Sequence, residues 1–139
     1  MRVSAASVPE APRAGMFSNA VVRGDRFWTS GMHAGGPEGP VGGEDAYLQA
    51  QEAFRRVAEL VRSCGATTAD VTVLRVYLTD VDDKAAVGRA RSEVFSGEMP
   101  CSTLVGVAAL VEPGLKVEVE AEGIVGSGAL PESESERKS

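Results

Sequence analysis

One histidine and two cysteines among 139 residues are too few N and S donors for most metal chemistry. A structural zinc site takes four such ligands and a typical catalytic one three, so only carboxylates remain to hold a metal, and neither a metal nor another cofactor is expected. Positive charge is also scarce: 14 Lys and Arg against 20 Asp and Glu leave a net charge of -6. Phosphate backbones and anionic lipid reward clustered Lys and Arg, so nucleic acid and membrane surfaces are not expected partners. No apolar run approaches the roughly 20 residues that cross a bilayer. The start, Met1-Arg2-Val3-Ser4-Ala5, lacks the apolar stretch of a secretory signal. A soluble, cytoplasmic protein is the expectation. In that compartment the default for Cys64 and Cys101 is two reduced, half-buried thiols, although sequence alone leaves a disulfide open.

What the chain does have is enough apolar material for one core. With 43% hydrophobic and 24% charged residues, a domain of this length buries about two-thirds of its unfolded surface. Residues 1–15, with Pro9 and Pro12 among small side chains, suit an extended arm. Residues 20–22 and 27–29 read as two strands joined at Gly24, a hairpin. Glycine and proline recur through 31–43 and forbid a helix or a central strand there. From Asp45, the residues Tyr47, Ala50, Phe54, Val57, Ala58, Val61 and Cys64 recur at helical steps, and Gly65 suits a left-handed cap. Residues 71–79 are apolar or β-branched at nearly every position, as for a strand with little solvent on either face. A shorter helix follows over 85–95, broken by Gly97 and Pro100. Strands are expected over 103–110 and 115–122, separated by the turn Glu112-Pro113-Gly114. Residues 126–139 have no recurring apolar position and are expected to be disordered.

The order ββαβαββ predicts a single α+β domain over 16–125, one sheet covered on one face by two helices. The apolar content of 71–78 and 103–110 then leaves the second face in need of a cover. A symmetric homo-oligomer is the default answer, and the arm and loop covering it is the alternative.

Three places carry candidate chemistry. Lys116, Glu118, Glu120 and Glu122 alternate with apolar residues and share one face; a carboxyl crowded by others where water is scarce is a candidate general acid or base, and a solvated charged edge is the bland alternative. His33 stands where a strand ends and a glycine-rich loop begins, a usual place for a binding residue, though no triad partner is visible. Pro100-Cys101-Ser102-Thr103 puts a thiol and two hydroxyls at a strand entry, outside any nucleophile signature, where hydroxyls also commonly satisfy backbone groups. The glycines of 35–43 do not make a phosphate loop, since no Gly-Lys-Ser/Thr follows.

Several strings, in order and spacing, resemble the RidA/YjgF family of reactive-intermediate deaminases. They are Phe27-Trp28-Thr29-Ser30-Gly31; Gln49 with residues 53–65; residues 70–80 with their Val-Tyr-Leu-Thr-Asp ending; Phe95 and Pro100; and Val117-Glu118-Val119-Glu120-Ala121. The resemblance spans roughly residues 15–125. It implies a chorismate-mutase-like α+β fold, a homotrimer whose sheets form a central barrel-like core, and ligand clefts between neighbouring subunits. Family deaminases hydrolyse imines and enamines such as 2-aminoacrylate to 2-oxo acids and ammonia, and Glu118 matches the carboxylate that activates or orients the water.

The chain also departs from that pattern. Family deaminases carry Pro-Ala-Arg-Ser, whose Arg holds the substrate carboxylate in a bidentate pair, and here Ser102 stands in that place. Charge-assisted hydrogen bonds contribute about 1.5–3 kcal/mol each, so losing two weakens a carboxylate ligand by two or more orders of magnitude. Phe17 takes the place of a Tyr, and Gly88 that of an Asn. The pattern resembles the arginine-lacking branches of the family.

Two readings follow. In one, the protein is a hydrolase of an imine, enamine or related electrophile without a carboxylate in the usual place. Glu118 is then the general base, His33 a proton relay, the amides near Cys101 and Ser102 steady developing charge, and Phe17, Ser30, Gly31, Cys101, Ser102 and Thr103 line the substrate site. In the other, it is a non-catalytic small-molecule-binding or interaction trimer of the same fold. Glu118 separates them, because a binding module has no need of a carboxylate desolvated in a cleft.

Overall fold

The structure, a computed structural model, describes residues 1–128. Six strands form one sheet in the order β1-β2-β3-β6-β4-β5. They are β1 (Arg2–Val3), β2 (Ala20–Arg23), β3 (Arg26–Thr29), β4 (Val71–Leu78), β5 (Cys101–Gly106) and β6 (Val117–Ile124). Two helices, α1 (Ala46–Ser63) and α2 (Lys84–Ser92), pack on each other, and α1 lies across β6 and β3. The expected α+β class and the two helices over one sheet are present.

The ends of α1 follow from side-chain chemistry. Asp45 caps it, its carboxylate accepting the Leu48 N–H at 3.1 Å, and Gly65 leaves it at a φ of 85°. The predicted stripe is its inner face: Ala50, Phe54, Val57 and Val61 are fully buried against Leu74, Leu78, Val117 and Val119. Burying a side chain such as Phe54 or Leu74 contributes about 1.5–3 kcal/mol relative to leaving it exposed. α2 stops at Ser92, short of the expected residue 95. Phe95 instead turns inward edge-on to Phe54, with ring centroids 6.1 Å apart.

The strand pairings differ from what chain order suggests. β5 and β6 do not pair with each other; both pair with β4, β5 in parallel and β6 antiparallel. β5 ends at Gly106 rather than 110 because β4, its one neighbour among the described residues, ends. The Val107 N–H donates to the carbonyl of Leu78, the last residue of β4, and beyond it no strand among the described residues remains to pair with. The arm contributes β1, which pairs with β2, while Val3 and Val8 enter the core.

The uncovered sheet face is mixed rather than continuously apolar: Trp28, Val73, Tyr77 and Val105 share it with Arg75 and the carboxylates of β6. Alternation sends Leu74, Val76 and Leu78 under the helices and leaves Val73, Arg75 and Tyr77 on the open side, next to Glu118, Glu120 and Glu122. The Tyr77 hydroxyl donates to Glu120, and Arg75 lies 3.6 Å from Glu122. Both thiols are free, with Cys64 half-buried and Cys101 exposed rather than half-buried.

Within the stretch expected to be disordered, Gly126–Gly128 turn back on the domain. The Gly128 N–H donates to Asp70 at 2.9 Å. Residues 129–139 lie outside the described residues.

Candidate active-site cleft

The cleft is built on one irregularity. β3 and β6 pair at Trp28 with Glu122 and again at Met32 with Val119, with three residues between the pairs on one side and two on the other. The surplus residue makes Thr29-Ser30-Gly31 swell out of the ladder, a β-bulge. The Ala121 N–H thereby turns to the Thr29 hydroxyl, at 3.1 Å. Ser30 is pinned on the other side: its N–H reaches the Asn19 carbonyl at 2.8 Å and its hydroxyl the Ser18 carbonyl at 2.6 Å. Asn19 in turn donates to the Pro9 carbonyl, tying the arm to the same place.

Gly31 is a glycine for want of space. A Cβ built there would lie 2.8 Å from Cδ and 2.9 Å from Cγ of Glu118, so the carboxylate rests directly on the Gly31 backbone. Glu118 itself stands on β6, half-buried, opposite Tyr77 of β4.

His33 follows two residues later. Its Nδ1 accepts the Gly35 N–H at 2.9 Å. Burial pushes the imidazole below its ordinary pKa; Glu118 and Glu112 oppose the shift and Arg56 adds to it. Arg56, on α1 and 5% exposed, donates to the carbonyls of His33 (2.7 Å) and Gly35 (2.9 Å) and to Glu52 (2.7 Å). Glu52 is held below the usual carboxylate range, first by its hydrogen bond from Arg55 and also by that from Arg56.

A cavity of about 590 Å³ opens over these groups, walled by Phe17, Met16, Val111 and the arm prolines Pro9 and Pro12. It brings together five of the residues singled out in the sequence: Phe17, Ser30, Gly31, His33 and Glu118. Cys101, Ser102 and Thr103 are elsewhere. They stand on β5, two strand spacings (about 10 Å) from β6. Register puts Ser102 beside Leu74 on the helix face, where its hydroxyl accepts from Arg91 Nη1 at 3.2 Å. Cys101 and Thr103 share the open face with Val73 and Arg75.

Three residues of the cleft, Arg56, Val111 and Glu112, are not among the candidates that the sequence offers. For Arg56 the available signal is its place beside Val57 on the buried stripe and four residues after Glu52. Glu112 belongs to the expected turn and Val111 directly precedes it, and nothing local marks either as a cleft residue. Buried Gln49 positions that segment, donating to the Gly43 and Gly114 carbonyls (2.7 and 2.9 Å) and accepting the Lys116 N–H (2.9 Å).

With this geometry in view, comparison with known proteins is decisive. A family model described as Endoribonuclease L-PSP, the family of RidA and YjgF, matches residues 8–125. The chain belongs to that family. The match reaches into the arm, beyond the stretch carrying the sequence resemblance. Among relatives, a Streptomyces coelicolor protein is 33% identical over 111 residues, covering 80% of this chain and 83% of that one. A 2-iminobutanoate/2-iminopropanoate deaminase of Dermatophagoides farinae is 31% identical over 121 residues, 82% of this chain and 90% of that one. Among solved structures, a Pseudomonas aeruginosa protein of unknown function superposes with a TM-score of 0.80 at 35% identity, covering 91% of this chain and 92% of that one. A YjgF-family protein from Mycobacterium tuberculosis gives 0.72 at 34% identity, covering 81% and 89%. Among the described residues no helix is long and apolar enough to cross a membrane.

Proposed function

We propose that the protein is a hydrolase of a reactive imine or enamine, working as a cytoplasmic homotrimer with its sites at clefts between subunits. The observation that carries this reading is the seat of Glu118: a half-buried carboxylate laid on the Gly31 backbone at the floor of the cavity, beside Ser30 and His33. Such a carboxylate can accept a proton from water as the water attacks the imine carbon, and His33 stands next to it to handle protons. Deaminases among the relatives lend the reaction class.

Subunit clefts explain the separation of the candidate residues. Cys101, Ser102 and Thr103 are too far along the sheet to meet Glu118 of their own chain, so a site using both groups takes them from neighbouring copies. Ser102 in place of an arginine supports a substrate with no carboxylate at that position, with the guanidinium nearby, that of Arg91, donating to the Ser102 hydroxyl at 3.2 Å. A nuclease activity, which the family model's description names, fits less well: the cavity wall carries Glu10, Glu112 and Glu118, and Arg56 spends its charge on Glu52.

The test is release of ammonia and carbonyl product from freshly generated imines with and without a carboxylate, by the wild type and by Glu118→Gln. The expected result is turnover of non-carboxylate imines that falls about 10²–10⁴-fold in the variant while its oligomeric state is unchanged. Full activity of Glu118→Gln removes that residue from the mechanism. Absence of turnover across the panel favours the non-catalytic binding trimer.

A further inference from the structure

His33, the chain's one histidine, is held at both its backbone and its ring. Its Nδ1 accepts the Gly35 N–H, and a neutral imidazole that accepts at Nδ1 carries its proton at Nε2. The backbone on either side of that contact is gripped by one group. Arg56 places Nη1 on the His33 carbonyl and Nη2 on the Gly35 carbonyl, a fork that spans the ends of the loop the hydrogen bond closes. Glu52 takes the remaining Nε and balances the buried charge.

We infer that Arg56 is a positioning residue that locks His33 as the Nε2–H tautomer, so that His33 meets a cleft ligand as a hydrogen-bond donor and leaves the general-base role to Glu118. The division of roles rests on the function proposed above; the lock itself does not. The lock also resists acid. Adding a proton at Nδ1 sets an N–H against the Gly35 N–H, two donors face to face, so the imidazolium forms only if the loop opens. The charged groups around the ring are Glu118 on β6, Glu112 in the segment before it, and Arg56 on α1; burial and Arg56 disfavour the cation, while the two carboxylates favour it. A donor beside a base suits a substrate that presents an acceptor atom, such as the nitrogen or oxygen left on the attacked carbon.

Because the chain has a single histidine, the ring nitrogens of the full-length protein labelled with ¹⁵N-histidine give unambiguous signals, read without any substrate. The expected wild-type spectrum shows one neutral form, unprotonated at Nδ1, that titrates below an ordinary histidine. Arg56→Met should give mixed tautomers and an upward shift of the titration. Arg56→Lys keeps the charge and loses the fork, so it too should mix tautomers. If Arg56→Met does not fold, Gly35→Ala serves instead, since a Cβ there would lie 2.8 Å from the ring Cε1 and displace it. Glu118→Gln should move the titration further down and leave the tautomer alone. A wild-type ring protonated at Nδ1, or a tautomer unchanged in Arg56→Met, overturns the inference. These outcomes are independent of whether any imine is turned over, so failure of the lock and failure of the hydrolase reading are told apart.

Discussion

Gly31→Ala isolates the fit between Glu118 and the bulge. Gly31 is not among the residues with positive φ, so alanine meets no backbone penalty and any effect comes from the added methyl group. That group would lie within 2.9 Å of both Cγ and Cδ of Glu118. Rotating the terminal carboxylate cannot clear Cγ, so the whole side chain or the strand must shift. Off-rotamer adjustment costs about 0.5–1.5 kcal/mol and overpacking about 1–3 kcal/mol, so a loss of about 1–3 kcal/mol is expected. For a domain of this size that is a fall in Tm of roughly 3–12 °C. If the carboxylate is the base, displacing it by about 1 Å lowers turnover about 10²-fold. The decisive assay is a double-mutant cycle by thermal or urea unfolding. In a Glu118→Ala background the methyl group has room, and most of the loss should vanish. An equal loss in both backgrounds refutes the claim that Gly31 exists to seat Glu118.

Gln49→Ala removes both donors and the acceptor that tie α1 to the Gly43 and Gly114 carbonyls and the Lys116 N–H; a loss of about 3 kcal/mol or more is expected, with faster amide exchange at Lys116 as the local readout. For Asp70, burial alone would raise the carboxyl's pKa, but N–H donors from Thr67, Gly128 and Gly126 outweigh it and hold it below its ordinary value. Its contribution is therefore complete above the unfolded value of 3.8 and declines as pH falls through the folded pKa, so Asp70→Asn should flatten the acid limb of a stability curve. Ser102→Arg should shift preference towards 2-imino acids, and should do so more fully when combined with Arg91→Ala, because the Arg91 guanidinium already lies at Ser102; kcat/KM ratios for paired substrates with and without a carboxylate report the shift.

Elements whose information is local were legible from the sequence. The stripe of α1, its Asp45 cap and its Gly65 exit all lie within residues 45–65. The alternation of residues 117–121 put Glu118 on the face where it is found. Pairing was not legible, since nothing local tells β5 and β6 that they share β4 rather than each other. Residues 71–79 misled because their outward positions, Val73 and Tyr77, are themselves apolar or aromatic, which hid a period of two behind a continuous run. The cleft was half legible for the same kind of reason. Ser30, Gly31 and His33 are contiguous with a recognisable strand, whereas Arg56 reaches the site across 21–23 residues by bonds to backbone carbonyls, which any sequence would offer.

The extra residue between Trp28 and Met32 sets regularity of the sheet against possession of a site. Deleting one residue there would let the ladder close, returning a backbone acceptor to the Ala121 N–H and removing the swelling that Ser18, Asn19 and Thr29 now brace. Met32 would stay opposite Val119 and His33 on the side of Glu118, so what the deletion takes away is the swollen backbone on which Glu118 rests. A shortened chain of this kind is a direct way to make the same scaffold without its cleft, and a more orderly sheet in it would measure what the opening costs.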